Sequence, residues 1–141
     1  MLVLAFAAAL CNAHPIYRLQ AHTSPAIVRS EARGYARAQS RVAFTVIGPE
    51  GPDVPHALGH RRIAERFARE SGATVSGMGA SPGLARRALA RALARFVAET
   101  KRELEREERS YERVTDNGRA QERGAAFGYP GGPDVPTPCR G

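Results

Sequence analysis

Apolar and polar positions change their period several times along this chain, and each change marks an element. Ile16, Tyr17 and Leu19 give apolar bulk to a short strand over 16–20. Thr23-Ser24-Pro25 then reads as a helix start, with Ser24 as cap and Pro25 in the first turn. That pattern predicts a helix to Arg33, stopped by Gly34, with Ala26, Ile27 and Ser30 on its inner side. Arg41 to Ile47 (RVAFTVI) is the clearest strand, rich in branched and aromatic residues, and it ends at Gly48-Pro49. From Pro55 the period becomes helical. His56, His60, Ile63, Ala64 and Phe67 share one face, Arg61, Arg62, Arg66 and Arg69 lie mostly elsewhere, and Gly72 closes the helix near Ser71. A brief strand is expected at 74–76. Ser81-Pro82 opens a second helix that continues to about Asp116, because Leu89, Leu93, Phe96, Thr100, Leu104, Tyr111 and Val114 trace one stripe at spacings of three, four or seven. Asn117-Gly118 tolerates the left-handed backbone that ends it.

These elements predict an α+β fold: a small, mostly antiparallel sheet packed on the histidine-bearing helix and on the long C-terminal helix. At 141 residues the chain has enough length for one domain with one modest core. The expected organisation is a leader over 1–13, a folded region over 14–123 and an irregular Gly/Pro-rich tail over 124–141. The leader, MLVLAFAAALCNA, is apolar but shorter than the roughly 20 residues that cross a bilayer. It has the length of a signal-peptide core and small residues before a cleavage point, although it lacks a positive first segment, so a secreted or periplasmic location is expected. The two cysteines, Cys11 and Cys139, stand at opposite ends. Cleavage after Ala13 leaves Cys139 alone, whereas cleavage further upstream leaves both cysteines, and an oxidising compartment then permits a bond between them.

Charge changes the picture less than its size suggests. The formal net charge is +7, carried by twenty Arg and one Lys. Arg in company with abundant Ala, Gly and Pro reflects GC-rich coding, and neither interleaved aromatics nor a Gly-rich phosphate cradle is present, so no specific nucleic acid is expected. One stretch stands apart: Arg87, Arg91 and Arg95 recur at spacings of four, and no acidic residue lies between 71 and 98. Such a stripe suits an anionic membrane surface or another anionic partner. Glu105 and Arg109 form a candidate i,i+4 ion pair.

The candidate chemistry lies at His56-Ala57-Leu58-Gly59-His60. Two histidines four apart stand one helical turn from each other on the same face. That is the ligand spacing of the zinc motif H-E-x-x-H, whose Glu is the general base. Here Ala57 occupies the base position.

On these residues the chain resembles a bacterial domain-of-unknown-function family described as secreted zinc-dependent proteases, which are H-E-x-x-H, zincin-like proteins. The family opens with a strand and a helix ending at Gly, as in IYRLQAHTSPAIVRSEARG. It carries H-E-x-G-H followed by an Ile-Ala pair, where this chain reads HALGHRRIAERFAR. It later carries a Tyr-x-x-x-Thr-x-His-Gly-like block, where Tyr111 to Gln121 reads YERVTDNGRAQ. The resemblance covers roughly 16–123. It implies zinc as cofactor, His56 and His60 as ligands, and a peptide or envelope protein as partner. Asn117 stands at the family's later His, and Ala57 replaces its catalytic Glu. The expected third ligand is therefore sought among Asp116, Asn117 and His22, with Glu99 and Glu103 as further carboxylates. Two functions follow. One is a zinc-metallopeptidase-like protein inactivated at its base. The other is a non-catalytic basic module of the cell envelope that binds anionic surfaces through its arginine faces.

Overall fold

The structure, a computed structural model, describes residues 16–49, 55–116 and 118–128. The leader, both cysteines, Asn117 and most of the tail lie outside these residues. The fold is α+β. Its elements run β1 (Arg18–Thr23), β2 (Ile27–Glu31), β3 (Tyr35–Ile47), α1 (Pro55–Glu70), β4 (Ala73–Gly79), α2 (Pro82–Val114) and α3 (Gln121–Ala126). Strand β3 is the hub, to which β1, β2 and β4 all pair. Its pairings with β2 and β4 are antiparallel, from Ile27↔Gln39 to Glu31↔Tyr35 and from Ala36↔Gly79 to Val42↔Ala73.

The main departure from the sequence pattern lies at 25–33, where a strand replaces the expected helix. Ser24 does not cap a helix. Its backbone N–H donates to the Arg41 carbonyl (2.9 Å), and its hydroxyl accepts from the Arg41 N–H (2.8 Å). The Ser40 hydroxyl donates to the Ser24 carbonyl (2.6 Å). The backbone groups that a helix would have used are thus taken by β3. Arg33 and Gly34, with φ of 71° and 78°, turn the chain straight back into β3. A hairpin loop needs this positive-φ geometry, so the Gly read as a helix stop is a strand turn. The tail also differs, because α3 carries helix through Ala126, past the expected boundary at 124.

The chain divides into two compact units. The described residues of Leu19–Thr45 and Phe67–Glu103 form one of them. Here the even positions of β3 point inward, and Ala36, Ala38, Val42 and Phe44 are all buried. Ala36 and Ala38 pack with Ala85 and Leu89 of α2, and Val28, Val75 and Leu93 close the cluster. Small residues allow helix and sheet to approach at backbone distance. A Cβ on Gly77 would lie only 2.1 Å from the Leu89 backbone nitrogen, so any side chain there collides.

The described residues of Met1–Arg18, Val46–Arg66 and Leu104–Gly141 form the other unit. Its core comprises Tyr17, Ala57, Ile63, Ala64, Leu104, Tyr111 and Ala120. Ile63 and Ala64 bury on the α1 face that carries the histidines, as the helical period predicts. The last three turns of α2 supply the opposing face, with Leu104 and Tyr111 seven residues apart.

Candidate metal centre

Burial makes His56 and His60 unusual. Their residues are 3 % and 4 % exposed, in a core where an unpaired polar ring would cost free energy. They are satisfied from α2. Glu112 Oε1 lies 3.1 Å from His56 Nε2 and 2.5 Å from His60 Nε2, and the two Nε2 atoms are 3.3 Å apart. Three ligand atoms from three side chains thus converge on one small triangle, a group that could hold a metal ion. Ligands at about 2.0–2.1 Å from a tetrahedral ion stand about 3.3 Å from one another, close to the separation of the two imidazoles.

Tyr111 holds the rings in place. It is fully buried, stacks on His56 (centroids 4.9 Å, planes 9° apart) and meets His60 edge-on (4.9 Å, 89°). Its hydroxyl donates to the His56 carbonyl at 3.1 Å. The buried Thr115 hydroxyl returns to the Tyr111 carbonyl at 2.7 Å. Gly118, at φ +88°, presses its backbone on the other ring region, where a Cβ would sit 2.9 Å from His56 Cγ. Tyr111 and Gly118 therefore both pack against the histidine pair, and Thr115 braces Tyr111.

A second carboxylate stands behind the first. Glu108 Oε1 lies 3.7 Å from His60 Nδ1, and both atoms are buried without a hydrogen-bond partner among the described residues. Metal-bound histidines usually turn their outer N–H to a carboxylate, and Glu108 occupies that place. The electrostatics follow from these neighbours. Burial is the largest influence on His60 and lowers its pKa. The Glu112 hydrogen bond and the negative charges of Glu108 and Glu112 outweigh it and carry the imidazole to about 9. Burial likewise pushes Glu112 up, but the hydrogen bonds and charges of His56 and His60 win and hold its carboxyl well below the usual range.

Two imidazoles and a carboxylate form the donor set of many catalytic zinc sites, which leave a fourth position open. Hydrolysis additionally needs a base beside that position. Ala57 is 1 % exposed and offers a methyl. Of the nearest carboxylates, Glu112 belongs to the triangle and Glu108 faces the outer nitrogen of His60. Glu65 pairs with Arg61 at 2.9 Å and Glu107 with Arg66 at 3.1 Å.

The structure brings together His56 and His60. His22 is exposed and hydrogen-bonds Thr45 Oγ1 at 2.7 Å in the sheet unit. Asp116 is exposed in the turn after α2, with φ 48°, and is not a member of the triangle. Asn117 lies outside the described residues. Glu99 and Glu103 are exposed on α2. Arg87, Arg91 and Arg95 are exposed on successive turns of α2 and carry no ion pair among the described residues. Glu105 and Arg109 do not form the expected pair. Sequence reasoning missed Glu112 and Glu108. One signal was available: Glu108 sits between Leu104 and Tyr111 in the apolar stripe itself, four and three residues away, and Glu112 follows one turn later.

No protein-family model, curated protein or solved structure matches this chain. The donor triangle therefore stands on its own geometry.

Proposed function

We propose that this protein binds zinc through His56, His60 and Glu112 as an exported, secreted or periplasmic, metallopeptidase-like protein that does not hydrolyse peptides. The observation that supports the reading most is the convergence of three donor atoms, two on buried imidazoles and one on a partly buried carboxylate, within 2.5–3.3 Å. Zinc favours this mixture of imidazole and carboxylate, and the donors have the hardness and number it takes. Zinc bound there would supply Lewis acidity at one open position. The chain's own residues orient the donors and keep bulk water from two of the three. Ala57 removes the group that would accept a proton from an attacking water, which supports a binding role over a hydrolytic one.

Cobalt(II), which replaces zinc and absorbs visible light, tests the reading. The full chain should bind one equivalent and give the intense bands of a four-coordinate site. Glu112→Ala should abolish them. A chain that takes no cobalt, or takes it equally well without Glu112, contradicts the proposal, and peptide hydrolysis by the zinc form contradicts its non-hydrolytic part.

A second reading is favoured by the exposed stripe of Arg87, Arg91 and Arg95. In it, α2 docks on anionic surfaces independently of the metal.

A further inference from the structure

The donor triangle is sealed unevenly. The side chains of His56 and His60 are 4 % and 6 % exposed, whereas that of Glu112 is 22 % exposed. The cluster is therefore least covered along the Glu112 side chain, although the Oε2 atom of that side chain is buried. A cavity of about 450 Å³ adjoins that side, and the residues lining it are Arg106, Arg109, Glu112 and Arg113. Helical spacing accounts for the arrangement. Positions 106, 109 and 113 fall at i, i+3 and i+7 on one stripe of α2, next to the row that carries Glu108 and Glu112. Arg109 and Arg113 carry no carboxylate partner among the described residues, and Glu105, the neighbour placed to neutralise Arg109, leaves it alone.

We infer that this arginine-lined cavity receives a phosphate group, free or as a monoester, whose oxygen completes the coordination of the metal held by His56, His60 and Glu112. The inference rests on the zinc reading above and names the ligand of the same site. The charges support a doubly charged oxyanion. A divalent ion between Glu112 and Glu108 keeps little net charge, so the pull on an oxyanion comes from the ion's open position and from Arg106, Arg109 and Arg113, which line the cavity. Guanidinium groups offer planar pairs of N–H donors that match phosphate oxygens. The cavity holds a phosphate with a small organic group and is too small for a folded partner. The missing base acquires a meaning here: with Ala57 at the base position, a phosphate on the metal is held rather than attacked. No bond is made or broken.

The test uses the full chain loaded with cobalt(II), titrated with inorganic phosphate and, in parallel, with acetate, while the visible spectrum is followed. Phosphate should shift the bands saturably. In the double variant Arg109→Gln, Arg113→Gln, phosphate should bind at least tenfold more weakly while cobalt affinity stays within twofold. Both arginines are exposed, so the variant keeps its fold. A cobalt-loaded protein whose spectrum ignores phosphate overturns this inference and leaves the metal reading standing. Equal phosphate binding in the double variant also overturns it, as does acetate binding as tightly as phosphate. Failure to take up cobalt at all overturns the metal reading, and this inference with it.

Discussion

At the scale of single residues, the centre depends on contacts that nothing else in the unit can replace. Gly118 is the sharpest case. Its φ of +88° costs an L-residue about 1–2 kcal/mol, and the added methyl would meet the His56 ring at 2.9 Å. Gly118→Ala should lower the melting temperature and weaken metal binding together. A variant that melts lower yet binds metal as before would show that Gly118 serves the turn alone. Tyr111→Phe keeps both ring contacts and loses only the hydroxyl donated to the His56 carbonyl. It should cost about 1 kcal/mol, measured by denaturant unfolding, with metal affinity nearly unchanged. Titration gives a third expectation. In metal-free protein the pKa of His60 lies at about 9, above the ordinary 6.5. Its stabilisation is therefore complete below about pH 6.5 and lost as pH rises towards 9. Glu112 works the other way: its depressed pKa stabilises above the ordinary 4.5 and is lost as pH falls. The metal-free protein should be most stable between these limits and weaken on the alkaline side. Metal affinity should rise over the same alkaline range, because ion and proton compete for His60. Melting curves of chelator-treated protein from pH 5 to 9 check the first part, and metal titrations at the same values check the second.

At the scale of elements, α1 and α2 divide the work. Helix α1 provides both imidazoles one turn apart, and α2 answers with carboxylates one turn apart, Glu108 and Glu112. In the proposed site the second carboxylate would orient rather than bind. Glu108→Gln should weaken metal affinity about tenfold to a hundredfold while leaving the stoichiometry at one. Loss of binding altogether would make Glu108 a ligand. Both helices were legible in the sequence to within a few residues at either end, since long amphipathic periods with proline starts dominate their local alternatives. The second half of β3 was legible as the strand over 41–47, whereas its first half, from Tyr35 to Ser40, was not. The segment 25–33 was not, because Ser-Pro and a later Gly signal a helix as readily as a strand followed by a turn. Pairing with β3 across the Arg33-Gly34 turn decided the matter, and the residues of 25–33 taken by themselves do not carry that partner. The imidazole half of the site was legible from one helix. The carboxylate half required knowing which turn of α2 faces His56, and the sequence offered five glutamates between 99 and 108 besides Glu112. Only the presence of Glu108 inside an apolar register singled that turn out.

At the scale of the whole molecule, metal binding and surface charge are separable. Zinc that binds the folded chain alone raises its stability, by about 2.7 kcal/mol when free metal stands at a hundred times the dissociation constant. Chelation should remove that increment from the melting temperature. The net charge of +7 acts elsewhere and more weakly. If the stripe on α2 is an anionic docking face, binding to phosphatidylglycerol-containing vesicles should fall with added salt. It should fall further when Arg87, Arg91 and Arg95 are changed together to Gln, with zinc binding intact. Vesicle binding insensitive to both salt and those arginines would remove that second reading. No helix among the described residues is long and apolar enough to cross a membrane.

Two imidazoles and one carboxylate are proposed to hold a single zinc ion. The most direct measurement is competition for zinc between a chromogenic chelator and the full chain, compared with Glu112→Gln and His60→Ala. One equivalent should bind with a dissociation constant below about 1 µM, near 8 kcal/mol of binding free energy. Both variants should lose at least a hundredfold. Zinc binding that is absent, or equally tight in Glu112→Gln, would contradict the account, and the buried triangle would then be a hydrogen-bonded core of two histidines and a glutamate.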